Sequence, residues 1–391
     1  MRTKSSRREL AELARLFLKL GTTAFGGPAA HVAMMEDEVV GRRRWLTRER
    51  FLDLLGATNL IPGPNSTELA IHIGHVRAGW PGLVVAGCCF ILPASLLVTA
   101  LAWAYVRFGR MPQVEGLLYG TKPVVIAIVA QALWRLGRTA IRSGWLALLA
   151  LAAAVANAAG GGELAVLGAS AALAATASAA SRRGSGAPAA LATPLLAPPA
   201  SLAGVGAASA MATAGVPAAV GLWPLFAFFA KVGSVLFGSG YVLLAFLRAG
   251  LVEQRGWLSE AQLLDAVAIG QVTPGPVFTT ATFIGYVLAG GAGAAAATLG
   301  IFLPAFVFVA ASGPLVPRLR RSRLARAMLD GVNAASLALM AVVTVRLAAG
   351  ALVDPLALVL AATSALLLFA TRLNSAWLVL GGAAAGLLLR R

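Results

Sequence analysis

Two lysines inside apolar runs are the first residues of this chain that could do chemistry. Lys19 and Lys231 each lie about two helical turns before a Phe-Gly pair. Burying an ammonium group among apolar side chains costs free energy unless the charge is paired. Each lysine is therefore a candidate for binding an anion. The alternative is that its long side chain extends from near a helix end to a more polar surface.

Four proline and glycine motifs could supply backbone amides to the same anion. Proline lacks an N–H and suits the first position of a helix, so Pro28, Pro64 and Pro276 predict helix starts, and Gly240 stands at the fourth. Each start carries about half a positive charge, so the four sum to about two, which suits a doubly charged anion. With Lys19 and Lys231, the predicted anion-binding residues are Gly26, Gly27, Pro28, Pro64, Asn65, Ser66, Thr67, Gly238, Gly240, Pro276 and Thr279. For Thr67 and Thr279, helix capping is the alternative role.

Titratable side chains lie close to these motifs. His31, Glu68 and His72 are near the breaks of the first half, and Asp53 matches Asp265 in the second half. They are candidates for carrying protons along an ion pathway. Capping, or pairing with arginines of the loops, is the alternative for each of them.

The composition indicates that these residues are held by membrane helices. Of 391 residues, 59% are hydrophobic and 12% charged, and the mean hydropathy is +0.82, values that argue against a soluble globular protein. The net charge of +17 could mark nucleic-acid binding, but the basic residues lie between apolar stretches, so we interpret them as loop anchors and expect no nucleic-acid partner. Stretches of about spanning length are Gly82–Tyr105, Gly144–Ala159, Glu163–Ala180, Val287–Ala311 and Asp354–Ala370.

The chain contains an internal repeat. A shift of 212 residues, from 19 to 231, places Pro62-Gly63-Pro64 on Pro274-Gly275-Pro276, and a one-residue gap then extends the match to Arg135 and Arg346. We expect a first repeat over residues 1–180, a linker over 181–220 and a second repeat over 221–391. Ser201–Trp223 is apolar enough for one extra membrane crossing.

The arginines of equivalent loops predict opposite orientations for the two repeats. The loop before Phe51 has five arginines and the loop after the next span has two, whereas the equivalent loops of the second repeat have two and five. Lysine and arginine in short loops prefer the cytoplasmic side, so the reversal predicts inverted-topology repeats, a plan of secondary transporters whose substrate site lies near the midplane. Parallel repeats are the alternative.

The segment before the first Pro-Gly-Pro motif is too short to cross a bilayer as a helix. Phe51–Ile61 has 11 residues, about 16 Å of helix, which is half of a roughly 30 Å hydrocarbon core. We therefore expect a re-entrant hairpin at Pro-Gly-Pro, while a hairpin and a kinked spanning helix both fit the Phe25 to Pro28 motif. The fold class is an all-α polytopic membrane protein with two inverted repeats and re-entrant or broken helices.

The motifs, in their order, are those of a known family. The first repeat has Phe25-Gly26-Gly27-Pro28 with His31, Trp45-Leu46 and Pro62-Gly63-Pro64-Asn65-Ser66-Thr67. The second has Phe237-Gly238-Ser239-Gly240, Trp257-Leu258 and Pro274-Gly275-Pro276. Over about Leu16–Leu136 and Phe228–Leu347, the chain resembles the long two-domain form of the chromate ion transporter (CHR) family.

The resemblance implies a function. It implies export of chromate across the bacterial inner membrane by a multi-pass protein, driven by the proton motive force, with protons and the lipid bilayer as further partners. Sulfate transport and a passive anion channel are the alternatives, and a homodimer is left open. A membrane enzyme is disfavoured because the histidines, acids and the adjacent Cys88 and Cys89 have no metal-ligand spacing. We expect no enzymatic activity, no cofactor and no metal.

Overall fold

The described part of the protein is helical throughout. The computed structural model describes residues 7–25, 27–109, 111–180, 220–237, 242–371 and 373–389, and the regular structure within these ranges consists of helices. The expected linker and its extra crossing lie outside the described residues as far as residue 219. The prediction of an all-α polytopic membrane protein is confirmed by these helices and their apolar character.

The helices of the two repeats follow one another in the same order. The first repeat has α1 Arg7–Thr23, α2 Gly27–Glu36, α3 Arg48–Thr58, α4 Asn65–Phe108, α5 Pro112–Ala140, α6 Gly144–Ala158 and α7 Glu163–Ala180. The second has α8 Leu222–Val235, α9 Leu243–Leu247, α10 Glu260–Val272, α11 Thr280–Arg321, α12 Arg323–Ala351, α13 Pro355–Ala370 and α14 Ser375–Leu389. Turns of π-helix extend α2 through Asp37–Arg42 and α9 through Arg248–Glu253, and a 3₁₀ turn, Val277–Thr279, precedes α11.

Five described helices are long and apolar enough to cross a membrane. They are Asn65–Phe108, Gln113–Ala140, Glu163–Ala180, Val277–Ser312 and Arg323–Ala351. The apolar helices α6 and α13 are shorter. All five stretches of about spanning length found in the sequence lie in helices. The ends agree to within one residue for α6, α7 and α13, whereas α4 begins well before Gly82 and α11 continues well past Ala311.

Two of the long helices contain a sharp turn that the sequence did not predict. In α4 the turn is at Gly79, with φ of +61°, and in α11 it is at Gly290, with φ of +62°. A Cβ added to Gly74 would overlap the carbonyl oxygen of Gly82, so the short arm of α4 before the turn packs closely on the long arm after it. Each of these helices is therefore a tight hairpin, made possible by small residues at the contact.

The two repeats interlock. Helix α5 packs against α13 and α14 of the second repeat, α12 packs against α6 and α7 of the first, and α4 packs against α11. The largest buried cluster combines side chains of both repeats, such as Val125 and Phe229. A second cluster, which includes Phe17, Phe51 and Phe90, belongs to the first repeat alone.

The aromatic loops of the two repeats lie at opposite ends of the molecule. At the Trp45 end, Arg77 lies 3.7 Å from Glu12 and its guanidinium lies 5.2 Å from the Trp45 ring. At the Trp257 end, the Arg255 guanidinium lies 5.2 Å from the Trp257 ring. The long arm of α4, 29 residues or about 43 Å, connects the two ends.

The chain also reverses within α1–α2. Glu12 of α1 lies at the Trp45 end, and so does Arg43, which follows α2 and whose guanidinium lies 5.2 Å from the Trp45 ring. The helix pair therefore leaves this end and returns to it.

Candidate functional site

The helix breaks of the two repeats are hydrogen-bonded to each other. The amide of Gly275 donates to the carbonyl oxygen of Ala24 at 2.9 Å, and the amide of Gly63 donates to that of Leu236 at 2.7 Å. Ala24 and Leu236 are equivalent residues, each directly before the phenylalanine of a Phe-Gly motif. Each Pro-Gly-Pro turn is thus joined to the Phe-Gly break of the other repeat, and all four breaks meet in one place.

Glycine is required in both Pro-Gly-Pro turns. Gly63 has φ of +139° and Gly275 has φ of +89°, a region that side chains with a Cβ rarely adopt. A Cβ added to Gly275 would lie 2.7 Å from the Cβ of Ala94 and 3.1 Å from the carbonyl oxygen of Gly21. The crossing of the repeats therefore depends on the absence of a side chain here.

A cavity of about 430 Å³ lies where the breaks meet. At roughly 30 Å³ for each water molecule, it has room for a small anion with part of its hydration shell. The break residues that line it are Pro28, Pro64, Asn65, Ser66, Phe237 and Pro276. Both repeats contribute lining residues, so neither repeat forms the cavity by itself.

The helix starts beside the cavity can offer free amides. Within the described residues, no side chain caps α4 at Pro64 or the 3₁₀ turn at Pro276. N–H groups of these first turns are thus left for a ligand or water, as a helix start that binds an anion requires.

The remaining predicted residues at the breaks lie behind this lining or outside the described residues. Thr67 is fully buried, and the Thr279 hydroxyl donates to the carbonyl oxygen of Pro276 at 2.8 Å. Gly27 begins α2. Gly26, Gly238 and Gly240 lie outside the described residues.

The two predicted lysines do not line this cavity. Lys19 Nζ donates to Glu38 Oε1 at 2.7 Å, and Arg43 Nε donates to Glu38 Oε2 at 3.2 Å. The hydrogen bond from Lys19 holds the pKa of the Glu38 carboxyl below its ordinary value, against the raising effect of burial and with help from Arg43. Lys231 is exposed on α8.

Polar residues that the sequence did not single out complete the lining. They come from the end of α3, the end of α5 and the middle of α12, and they are Asn59, Thr139, Arg142, Asn333 and Ser336. Arg142 brings a permanent positive charge, and its Nε donates to the carbonyl oxygen of Thr139 at 2.8 Å. Nothing in the sequence around Arg142 distinguishes it from the other arginines of the loops. Asn333 could have been noticed, because the repeat places it on Lys122.

The buried titratable residues of the first repeat lie next to the breaks. The ring of His31 lies between the carbonyl oxygen of Ala24, at 3.1 Å from Nε2, and Ser66 Oγ, at 3.3 Å from Nδ1. Glu68 is fully buried, and neither of its carboxylate oxygens has a hydrogen-bond partner among the described residues. His72, one turn further along α4, is also buried.

The two matching aspartates have different surroundings. Asp53 is exposed, whereas Asp265 is buried. Lys122 Nζ lies 3.4 Å from Asp265 Oδ1, and the Tyr105 hydroxyl donates to Oδ2 at 3.0 Å. The repeat seen in the sequence therefore does not extend to the environment of this carboxylate.

Known proteins match the chain over most of its length. The family model described as chromate transporter matches residues 11–179 and 223–387. A chromate transport protein of Cupriavidus metallidurans is 35% identical over 391 residues, covering 97% of this chain and 92% of that protein. A chromate transport protein of Pseudomonas aeruginosa is 32% identical over 333 residues (85% and 79%), and a probable one of Synechococcus elongatus is 30% identical over 329 residues (84% and 81%). No solved structure matches the chain.

Proposed function

The chain belongs to the chromate transporter family, and from that membership we propose that it exports chromate from the bacterial cytoplasm across the inner membrane by secondary active transport. The relatives are named as transport proteins, which favours a transporter over a membrane enzyme. The observation that carries the proposal is the cavity enclosed by the helix breaks of both repeats.

The cavity suits a tetrahedral dianion. Chromate offers four oxygen acceptors and two negative charges, and the cavity offers donors and a positive potential from the helix starts at Pro64 and Pro276 and from the Arg142 guanidinium. Asn65, Asn333 and Ser336 can add neutral hydrogen bonds. Sulfate has the same charge and shape, so it is the natural competitor. Both repeats of one chain build the site, so transport does not require a homodimer.

The opposite positions of Trp45 and Trp257 support inverted repeats. Five arginines, Arg42, Arg43, Arg44, Arg48 and Arg50, precede Phe51, so we place the Trp45 end in the cytoplasm. The short helix pairs α1–α2 and α3 with the short arm of α4 are then re-entrant hairpins whose breaks meet near the midplane. The cavity is lined by the end of α5, which runs back from the Tyr105 end of α4, and we propose it as the loading site on the cytoplasmic side.

Buried ionisable groups supply candidates for proton coupling. His31 contacts the cavity through Ser66, and Glu68 is buried directly behind the same helix start. Ionisable groups at membrane depth are costly and usually functional. His72, Asp53 and Asp265 complete the proposed set. Lys19 and Lys231 lie outside the cavity, so their proposed contact with the anion needs a different conformation.

Flux into proteoliposomes tests the proposal. Purified protein is reconstituted, and uptake of chromate and of sulfate is followed with and without a pH gradient. Accumulation of chromate against its own gradient, only when a pH gradient is imposed, is the expected result. Rapid downhill flux that ignores pH would indicate a passive channel, and uptake of sulfate without chromate would indicate a sulfate transporter.

A further inference from the structure

A buried ion pair lies on the side of the breaks away from the cavity. Lys122 of α5 and Asp265 of α10 are joined at 3.4 Å, and Tyr105 of α4 bonds the same carboxylate at 3.0 Å. The side chain of Asp265 is 5% exposed and that of Lys122 is 22% exposed. The pair links the two repeats at the Trp257 end, since Asp265 lies just after Glu260, which bonds Arg248 there.

The repeat does not reproduce the lysine of this pair at the other end of the molecule. The repeat places Asp53 on Asp265 and Asn333 on Lys122. Asp53 is exposed, and Asn333 is neutral and lines the cavity. An ion pair thus occupies this position of the second repeat's α10 contact, while the residue that matches Lys122 lines the anion site.

A narrow gap adjoins the cavity. It has a volume of about 10 Å³, roughly that of one water-sized probe. Val277 lines both the cavity and the gap, and Val267 lines the gap from a face of α10 other than the face of Asp265, because residues two apart on a helix do not share a face. The other lining includes Val129 and Leu247, so the gap is mostly apolar. The repeat relates Lys122 to the anion site, because its equivalent Asn333 lines the cavity.

The surroundings of Asp265 make Lys122 its partner. The titratable and charged groups that face the Asp265 carboxylate are Lys122 from α5 and Tyr105 from α4. Helix α14 also packs on α10, but it carries no titratable residue within Ser375–Leu389. From α11, the Phe283 ring packs against Tyr105. The charged groups of the π-helical turn and Arg346 of α12 bond elsewhere, in a network with Glu260. An unpaired charge on either Asp265 or Lys122 would cost free energy at this depth. Each side chain therefore needs a replacement partner, or must become neutral, when the two separate.

We propose that Lys122 is a second anion-binding residue, held by Asp265 until the carboxylate takes up a proton from the Trp257 side. The proton adds to a carboxylate oxygen of Asp265, and the Lys122 ammonium keeps its own protons and becomes the counter-ion of the dianion. Release of the proton from Asp265 to the cytoplasmic side restores the pair and displaces the anion toward the Trp257 end. This inference rests on the proposed chromate transport and explains how proton entry would open the outer end.

The test compares single and double neutral variants in proteoliposomes. The Asp265→Asn variant is expected to transport chromate down its gradient whether or not a pH gradient is present, because Lys122 no longer has a carboxylate partner. Lys122→Met combined with Asp265→Asn leaves no unpaired charge, and it is expected to move chromate at least tenfold more slowly than the wild type. Lys122→Arg keeps the cation and is expected to retain coupled transport. Asp330→Asn, which neutralises an exposed carboxylate on α12, is the control.

The outcomes separate the inference from the function on which it rests. Wild-type transport rates in the double variant would show that Lys122 only balances Asp265, and would overturn the inference. Transport by Asp265→Asn that still depends strictly on the pH gradient would overturn the inference as well. This outcome can be measured even if size-exclusion chromatography shows that the Lys122→Met variant does not fold. Absence of chromate flux in the wild type itself would instead refute the proposed function.

Discussion

The amide of Gly275 donates a hydrogen bond of 2.9 Å to the carbonyl oxygen of Ala24, which joins the Pro-Gly-Pro turn of one repeat to the Phe-Gly break of the other. Gly63 and Leu236 form the equivalent bond at 2.7 Å. Separation of the two repeats would leave these polar groups unpaired at membrane depth. The anion site therefore depends on the contact between the helix breaks of the two repeats. Substitutions at this contact should affect the site more than substitutions elsewhere.

Gly275→Ala is expected to disrupt the site. The substitution forces a Cβ into a backbone with φ of +89° and to within 2.7 Å of the Ala94 Cβ, so we expect a loss of about 1–3 kcal/mol of stability and most of the transport. Thermal unfolding in detergent and chromate flux measure the two effects. Gly291→Ala is the control, because a Cβ added there meets nothing within 4 Å. Equal behaviour of the two variants would contradict the role of the crossing.

Arg142→Gln is expected to weaken chromate binding. A hydrogen bond to a charged group contributes about 1.5–3 kcal/mol, so the apparent KM should rise by about tenfold or more while the protein stays folded. Arg138→Gln is the matched control, since Arg138 is an exposed arginine one turn earlier that does not line the cavity. A similar KM in both variants would remove Arg142 from the site.

The Lys19–Glu38 pair predicts a pH dependence of stability. The pKa of Glu38 is lowered in the folded protein, chiefly by the hydrogen bond from Lys19. The stabilisation is therefore present above the ordinary carboxyl pKa and is lost as pH falls through the lowered value. Glu38→Gln should unfold at a lower temperature than the wild type at neutral pH, and the difference should shrink on acidification. A difference that is constant with pH would argue against this pair as the cause.

Cysteine labelling tests the inverted topology. In a background with Cys88 and Cys89 replaced by alanine, a cysteine at Arg44 should be inaccessible to a membrane-impermeant maleimide added to intact cells. A cysteine at Arg255 should be labelled, because the Trp257 end lies on the other side. Equal labelling of the two positions would support parallel repeats.

The sequence alone predicted the elements better than their contacts. The equivalence of the repeats and the break positions were visible because glycine and proline fix local backbone geometry, and the prediction of Glu163–Ala180 matches α7 residue for residue. The interlocking of α5 with α14 and the choice of Arg142 among many arginines depend on contacts between distant segments, which no local pattern encodes. Lys122 could have been identified as a candidate anion-binding residue from the sequence, because it lies in an apolar stretch as Lys19 does.

The most direct test is the position of bound chromate. Chromium scatters anomalously, so a crystal of the protein with chromate would show the ion as a single strong peak. We predict that peak inside the cavity, between the helix start at Pro64, the turn at Pro276 and the Arg142 guanidinium. A chromium peak beside Lys19 or Lys231, with the cavity empty, would contradict the account.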